Sequence, residues 1–120
     1  MRASLFYFFG ASLGGLYRGS KTLFGETINA AVNVKNSTHC DFQISGDISL
    51  DCYDEAFSLN GNQLVLEDIG VSGDCAHDAL ADNKIDLKSI VYDAATDTIR
   101  VTVKYSIATV DIDLTKSNSL

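Results

Sequence analysis

The sequence predicts a mainly β domain: an antiparallel meander of seven to eight strands that forms a small barrel or a two-layer sandwich, with one short helix near residues 74–82. Three observations support this prediction. Apolar and polar residues alternate along most of the chain, glycine, asparagine and aspartate mark tight turns, and the 120 residues contain no proline. Such alternation is typical of strands with one buried face, and these turn residues favour hairpins.

A different pattern precedes the β domain. Arg2 is followed by an uncharged, mostly apolar stretch over residues 3–13 and then by Gly14 and Gly15. A positive start, an apolar centre and small residues are the layout of a secretory signal peptide. We therefore expect residues 1–15 to be a cleaved signal peptide and residues 16–120 to be a single secreted, extracellular domain. The apolar stretch is too short to span a membrane, and the alternative is a buried N-terminal strand or short helix.

The first strands follow from the alternation. Four apolar residues of one parity mark one strand: Ile28, Ala30, Val32 and Val34. Two apolar rows are mirrored about Gly46: Cys40, Phe42 and Ile44 before it, and Ile48, Leu50 and Cys52 after it. With residues 45–47 as the loop of a hairpin, Phe42 faces Leu50. A slip by one residue would turn one row to solvent, so we expect this register to be well specified.

Asn60-Gly61 predicts a second hairpin, because a type I′ turn needs positive φ at both central residues. After it, Asp74 is placed to cap a short helix that covers residues 75–82. Eight residues are marginal as an isolated helix, so we expect this one to form by docking on the sheet.

In the last third of the chain, the parity of the apolar residues changes twice. The change between Leu87 and Ile90 predicts a bulge near Ser89. The second change falls at Ala108-Thr109. Alanine and threonine are poor turn formers, so we expect a second bulge that bends one long strand.

The chain has three cysteines, and an exported protein normally pairs two of them. The hairpin register places Cys40 opposite Cys52 on one face, at a separation that a disulfide can bridge. We predict a Cys40–Cys52 disulfide, with Cys52–Cys75 as the alternative. Asn36 begins a glycosylation sequon, which predicts that Asn36 is glycosylated on an exposed loop.

The second hairpin also suggests a speculative calcium site. Its register would set Asp54 opposite Glu67, with Glu55 and Asp68 beside them. Facing like charges destabilise a strand pair, and a hard cation with oxygen ligands would offset the repulsion. The plain alternative is that the strands have splayed apart by this point. We favour no metal site and expect no cofactor.

Two segments combine a thiol, an imidazole and a carboxylate: His39-Cys40-Asp41 and Cys75-Ala76-His77-Asp78. These residue types bind zinc or catalyse hydrolysis. Their spacing matches no closed zinc motif, and nothing orients them as a catalytic set. An enzyme would need His39 or His77 within hydrogen-bond reach of a cysteine or aspartate in a cleft.

The net charge of −7 is uneven, because residues 41–83 contain no lysine or arginine. Such an acidic field repels phosphate backbones and anionic lipid surfaces. The charge therefore argues against nucleic acid, and the chain has no predicted membrane span. The remaining partners are an extracellular protein, a glycan or a small apolar ligand.

We therefore predict a secreted, non-catalytic domain that acts as an extracellular binding or interaction module. The alternative is a calycin-like barrel that carries a small apolar ligand, and an enzyme is a distant third. A cavity of several hundred cubic ångströms would favour the carrier, whereas a solid interior with an exposed apolar patch would favour the module. The residues predicted to line such a cavity are Phe57, Leu64, Ile90 and Tyr105.

Overall fold

The computed structural model describes residues 12–46, 48–105 and 107–117. Its strands are β1 (Gly15–Leu23), β2 (Glu26–Val34), β3 (His39–Gly46), β4 (Leu50–Asn60), β5 (Gln63–Leu66), β6 (Ile85–Asp93), β7 (Thr98–Tyr105) and β8 (Ala108–Lys116). They form a closed antiparallel barrel in which each strand pairs with the next and β8 pairs with β1. A helix, α1 (Cys75–Asp82), lies between β5 and β6 in the chain. The predicted fold class is confirmed, and closure decides for the barrel over the sandwich.

Bulky side chains fill the barrel. On most strands the inward residues share one parity, and on β4 and β6 this parity changes at a register shift. The predicted row of Ile28, Ala30, Val32 and Val34 on β2 is buried. The largest fully enclosed side chains are Tyr17, Phe42, Ile44, Leu50, Ile90, Ile99, Ile112 and Leu114. An eight-stranded barrel has room for packed side chains or for one small molecule. Here the side chains take that room.

β1 and β8 close the barrel through a short seam, in which Tyr17 pairs with Lys116. The two backbones approach closely at Gly19. A Cβ at this position would collide with the carbonyl oxygen of Asp113. Glycine is therefore required for closure, because any side chain would push the two strands apart.

One end of the barrel is held by a polar network, and we call it the tyrosine end. The Tyr17 hydroxyl donates to Asp97 Oδ1 at 2.6 Å, and the Tyr92 hydroxyl donates to the same oxygen at 2.8 Å. Lys116 Nζ lies 3.4 Å from Asp97 Oδ2. Burial raises the pKa of Asp97, but the tyrosine hydrogen bonds and Lys116 outweigh it and hold this pKa below its ordinary value. The network joins β1, β6, β8 and the β6–β7 turn.

The helix completes the barrel wall. β5 is short: it pairs with β4 along Phe57–Asn60 and with β6 at one residue pair, Gln63 with Val91. α1 packs against β4 and β6 where β5 does not separate them, and it buries Ala76 and Leu80. The Asp74 carboxylate accepts hydrogen bonds from the first helical N–H groups, as predicted. The helix thus covers the part of the barrel wall that the short β5 leaves open between β4 and β6.

The predicted register of the first hairpin is wrong by two residues. Phe42 faces Cys52 instead of Leu50, and Leu50 faces Ile44. β3 continues to Gly46 because Gly46 still pairs with Ile28 of β2, and β4 begins only at Leu50. A shift by two keeps every side chain on its face. The alternation could therefore predict the buried rows but not the facing pairs.

The predicted turn of the second hairpin is also displaced. Asn60 pairs with Gln63, so Gly61 and Asn62 form the turn. Gly61 has a φ of 65° at the first central position, where glycine stands in a type II′ turn. Asn60 is therefore the last residue of β4, and Gly61 is the first residue of the turn.

Of the two predicted bulges, one is confirmed. The register shifts between Leu87 and Ser89. The bulge at Ala108-Thr109 is wrong, because Tyr105 pairs with Ala108 across a two-residue turn and β7 and β8 are separate strands. Such a turn pairs odd with even positions, so it changes the parity of the inward row just as a bulge does. Most of the predicted signal peptide, residues 1–11, lies outside the described residues, and Gly15 begins β1.

Candidate functional site

The barrel end opposite the tyrosine end is apolar and exposed. The β1–β2 turn at Phe24-Gly25 lies at this end, as does Ile107 between β7 and β8. Phe24 is 80% exposed and Ile107 is 89% exposed. We call this region the apolar end and define it by Leu23, Phe24, Ile28, Tyr105 and Ile107.

A cleft of about 240 Å³ opens at the apolar end, lined by Leu23, Phe24, Glu26, Ile28 and Tyr105. Ile28 is buried and forms the floor, whereas Tyr105 is half-buried. Sites for drug-sized molecules usually have volumes of about 300–1,000 Å³. The cleft is therefore small for a carrier, but it can receive one or two side chains of another protein.

Phe24 has an unusual backbone. Its φ is 54° and that of Gly25 is 80°, so both central residues of this turn are left-handed. A left-handed conformation costs a residue with a side chain about 1–2 kcal/mol, and turns of this kind normally use asparagine, aspartate or glycine. Phe24 therefore carries two costs: a strained backbone and an aromatic side chain exposed to solvent. Backbone strain of this kind persists only where the surrounding structure holds it, and it clusters at binding and active sites.

The four residues predicted to line one internal pocket lie in different parts of the barrel. Phe57, Leu64 and Ile90 are buried in the core, and Leu64 and Ile90 line a surface crevice of about 100 Å³. Tyr105 lies at the apolar end. No cavity found among the described residues brings all four together.

The Cys40–Cys52 disulfide is wrong, and the alternative Cys52–Cys75 is confirmed, with 5.6 Å between the Cα atoms. The corrected register explains this, because Cys40 faces Glu55 and Cys52 faces Phe42. The disulfide attaches the start of α1 to β4. Cys40 is fully buried, and burial, Glu55 and Asp41 raise the pKa of its thiol to about 12. This thiol is inert in the folded protein.

The pairing on which the calcium hypothesis rested is contradicted. Asp54 is exposed, has a φ of 58° and forms a 2.6 Å ion pair with Lys35 Nζ. Glu67 donates its N–H to the Ala56 carbonyl oxygen and does not face Asp54. The β3–β4 irregularity near Asp54 turns Glu55 inward. Among the described residues, no group of three acidic, cysteine or histidine side chains is arranged to hold a metal ion.

Glu55, which the calcium hypothesis placed beside Asp54, is a buried carboxyl group. It is 6% exposed and lies against the start of α1. Burial, a hydrogen bond with Asp74 and the charges of Asp74 and Asp68 raise the pKa of Glu55 to about 7, against a smaller opposing effect of the Ala76 N–H. The disulfide between Cys75 of α1 and Cys52 of β4 lies beside Glu55.

The histidines and the sequon take other positions. His39 Nδ1 lies 2.8 Å from the Thr38 hydroxyl, and His77 Nδ1 lies 2.8 Å from the Ile69 carbonyl oxygen. These contacts supply no acid–base pair. Asn36 is exposed in the β2–β3 loop, as predicted for the sequon, and its side-chain oxygen accepts hydrogen bonds from Thr38 and His39. Glycosylation of Asn36 stays a prediction.

Comparison with known proteins adds no relative. No protein-family model matches this chain, and no curated protein or solved structure is significantly similar to it. Within the described ranges, no helix is long and apolar enough to cross a membrane.

Proposed function

We propose that this protein is a secreted, non-catalytic β domain that acts as an extracellular interaction module, and that its apolar end binds another protein. The observation that carries the proposal is Phe24. Its ring is 80% exposed on a left-handed backbone, and folding alone gives no reason for a phenylalanine there. A partner with an apolar pocket would bury the ring and offset both costs.

The filled interior favours an interaction module over a carrier. Phe42, Val101 and Ile112 lie inside the barrel with none of their surface exposed. An apolar ligand would have to displace such side chains, because close-packed interiors hold few voids larger than a water molecule. A protein partner needs no such cavity and can bind the cleft and the two turns from outside.

Three features support an extracellular location. The Cys52–Cys75 disulfide is typical of oxidising compartments. Asn36 of the sequon is exposed and accessible to glycosylation. The start of the chain has the composition of a signal peptide. A soluble module in the extracellular space then meets its partner by diffusion.

Photocrosslinking tests this function. Benzoylphenylalanine placed at position 24 should capture a protein partner from the extracellular medium of the cells that make this chain. The same group at Leu59, which is 50% exposed near the opposite end, is the matched control. A protein captured from position 24 and absent from position 59 supports the proposal. Equal capture from both positions, or none, contradicts it.

Native mass spectrometry of the exported chain tests the carrier alternative. The interaction module should carry no small apolar molecule after purification. A bound lipid or similar molecule at one copy per chain would favour the carrier and overturn the module.

A further inference from the structure

A groove of about 490 Å³, lined by both polar and apolar residues, crosses the outer face of the barrel over β1, β2, β3 and β4. The strand registers align its residues in two cross-strand rows. One row is Arg18, Ala31, Gln43 and Asp51, and the other is Ser20, Asn29 and Ser45. The groove is separate from the apolar end, because it lies on the wall of the barrel.

Ala31 is the smallest side chain of its row along the groove and lies on β2, between Arg18 of β1 and Gln43 of β3. Arg18 and Asp51 lie on the first and fourth strands. Neighbouring strands lie about 4.8 Å apart, so the groove extends over about 14 Å. That length fits an extended ligand that lies across the strands.

The side chains along the groove offer both hydrogen-bond donors and acceptors. Asn29 and Gln43 supply amides, and Ser20 and Ser45 supply hydroxyl groups. Arg18 and Asp51 carry opposite charges at the two ends, and the Arg18 guanidinium also donates a 3.3 Å hydrogen bond to the Ser117 hydroxyl. This lining suits a ligand that is rich in hydroxyl groups and carries no net charge.

An exposed aromatic ring adjoins the groove. Tyr53 is 61% exposed, and its hydroxyl accepts a 3.1 Å hydrogen bond from Gln43 Nε2. The contact holds the Gln43 amide beside the largely exposed Tyr53. Aromatic faces of this kind pack against the C–H faces of sugar rings, while amides and hydroxyl groups bind the sugar hydroxyls.

We infer that this groove binds a neutral oligosaccharide, laid across β1 to β4. Amides from two strands, flanking hydroxyls, opposite end charges and an adjacent tyrosine are the observations that carry the inference. The binding is additional to the protein contact at the apolar end and does not need it.

An array of neutral, sialylated and sulfated oligosaccharides tests this inference, followed by calorimetric titration with the neutral oligosaccharide that binds best. We expect neutral sugars to bind in preference to anionic ones. Ala31→Trp should fill the groove and abolish binding, and Asn29→Ala should weaken it by about tenfold, the effect of losing one or two hydrogen bonds. Thermal unfolding of both variants checks that the barrel is intact.

Two controls separate this groove from the apolar end. Thr109→Trp places the same ring on an exposed position of β8 outside the groove, and Phe24→Asn removes the exposed ring of the apolar end. Both should leave the affinity for the oligosaccharide unchanged. Absence of binding, a preference for anionic sugars, or unchanged binding by Ala31→Trp would overturn the inference while leaving the proposed protein contact untouched.

Discussion

The two ends of this barrel differ in how their side chains meet solvent: one end satisfies its polar groups within the fold, and the other exposes apolar side chains. At the tyrosine end, Asp97 in the β6–β7 turn accepts hydrogen bonds from Tyr17 and Tyr92, and the polar groups satisfy one another. At the apolar end, the turns present Phe24 and Ile107 to solvent. The tyrosine end therefore satisfies its polar groups internally. The apolar end keeps the strained backbone and the exposed side chain of Phe24, and this contrast is the basis of the proposed binding function.

Removing Asp97 should cause the largest loss of stability. Asp97→Ala leaves two tyrosine hydroxyl groups without their acceptor, and each lost partner costs about 1–3 kcal/mol. We expect the free energy of unfolding, measured by urea denaturation, to fall by about 3 kcal/mol in total. Asp97→Asn is the matched control, because asparagine keeps an acceptor and tolerates the φ of 53°. Equal losses in the two variants would show that the network does not stabilise this end.

The two inward carboxyl groups sharpen the comparison. Asp97 has donors and a lowered pKa, whereas Glu55 lies beside Asp74 with its pKa raised to about 7. The folded state therefore holds the Glu55 proton more tightly than the unfolded state, whose pKa is near 4.5. This contribution to stability is complete below pH 4.5 and is lost as the pH rises through 7.

Glu55→Gln should remove that pH dependence. Glutamine can donate to Asp74 at every pH and carries no charge to bury. We expect the variant to exceed the wild type by about 1–2 kcal/mol in free energy of unfolding at pH 8, with a much smaller difference at pH 4.5. Urea denaturation across this range measures the difference. A difference that is constant with pH would mean that Glu55 is ionised in the folded protein throughout.

Phe24→Asn should give the smallest change, and a favourable one. Asparagine adopts the left-handed backbone at less cost than phenylalanine, so the free energy of unfolding should rise by about 1 kcal/mol. Phe24→Ala is the control, because it removes the ring but keeps the backbone strain. If both variants destabilise the protein alike, the ring serves the fold and the two ends are not different in kind.

The alternation of residues predicted the faces of the strands well. The row of Ile28, Ala30, Val32 and Val34 on β2 is buried as expected, because a period of two fixes which side chains share a face. The same period is blind to shifts by two. It therefore could not distinguish Phe42 facing Leu50 from Phe42 facing Cys52.

Several features that the sequence did not reveal depend on contacts between distant parts of the chain. The Cys52–Cys75 disulfide depends on where α1 packs. That place is set by the short β5, which pairs with β6 at one residue pair. Asp97 lies 80 residues from Tyr17 in the chain, and no local pattern links them. The apolar end likewise combines two turns from opposite halves of the sequence, and a parity change alone could not tell a turn from a bulge.

The affinity of Phe24→Asn for the partner captured from position 24 tests the central claim most directly. Isothermal titration of the wild type and of this variant against that partner gives the comparison. We expect the variant to be at least as stable as the wild type and to bind about tenfold more weakly or worse, because the loss of one buried aromatic anchor costs more than 1.4 kcal/mol. Unchanged affinity would show that the exposed phenylalanine is not a binding residue, and the functional assignment of the apolar end would be wrong.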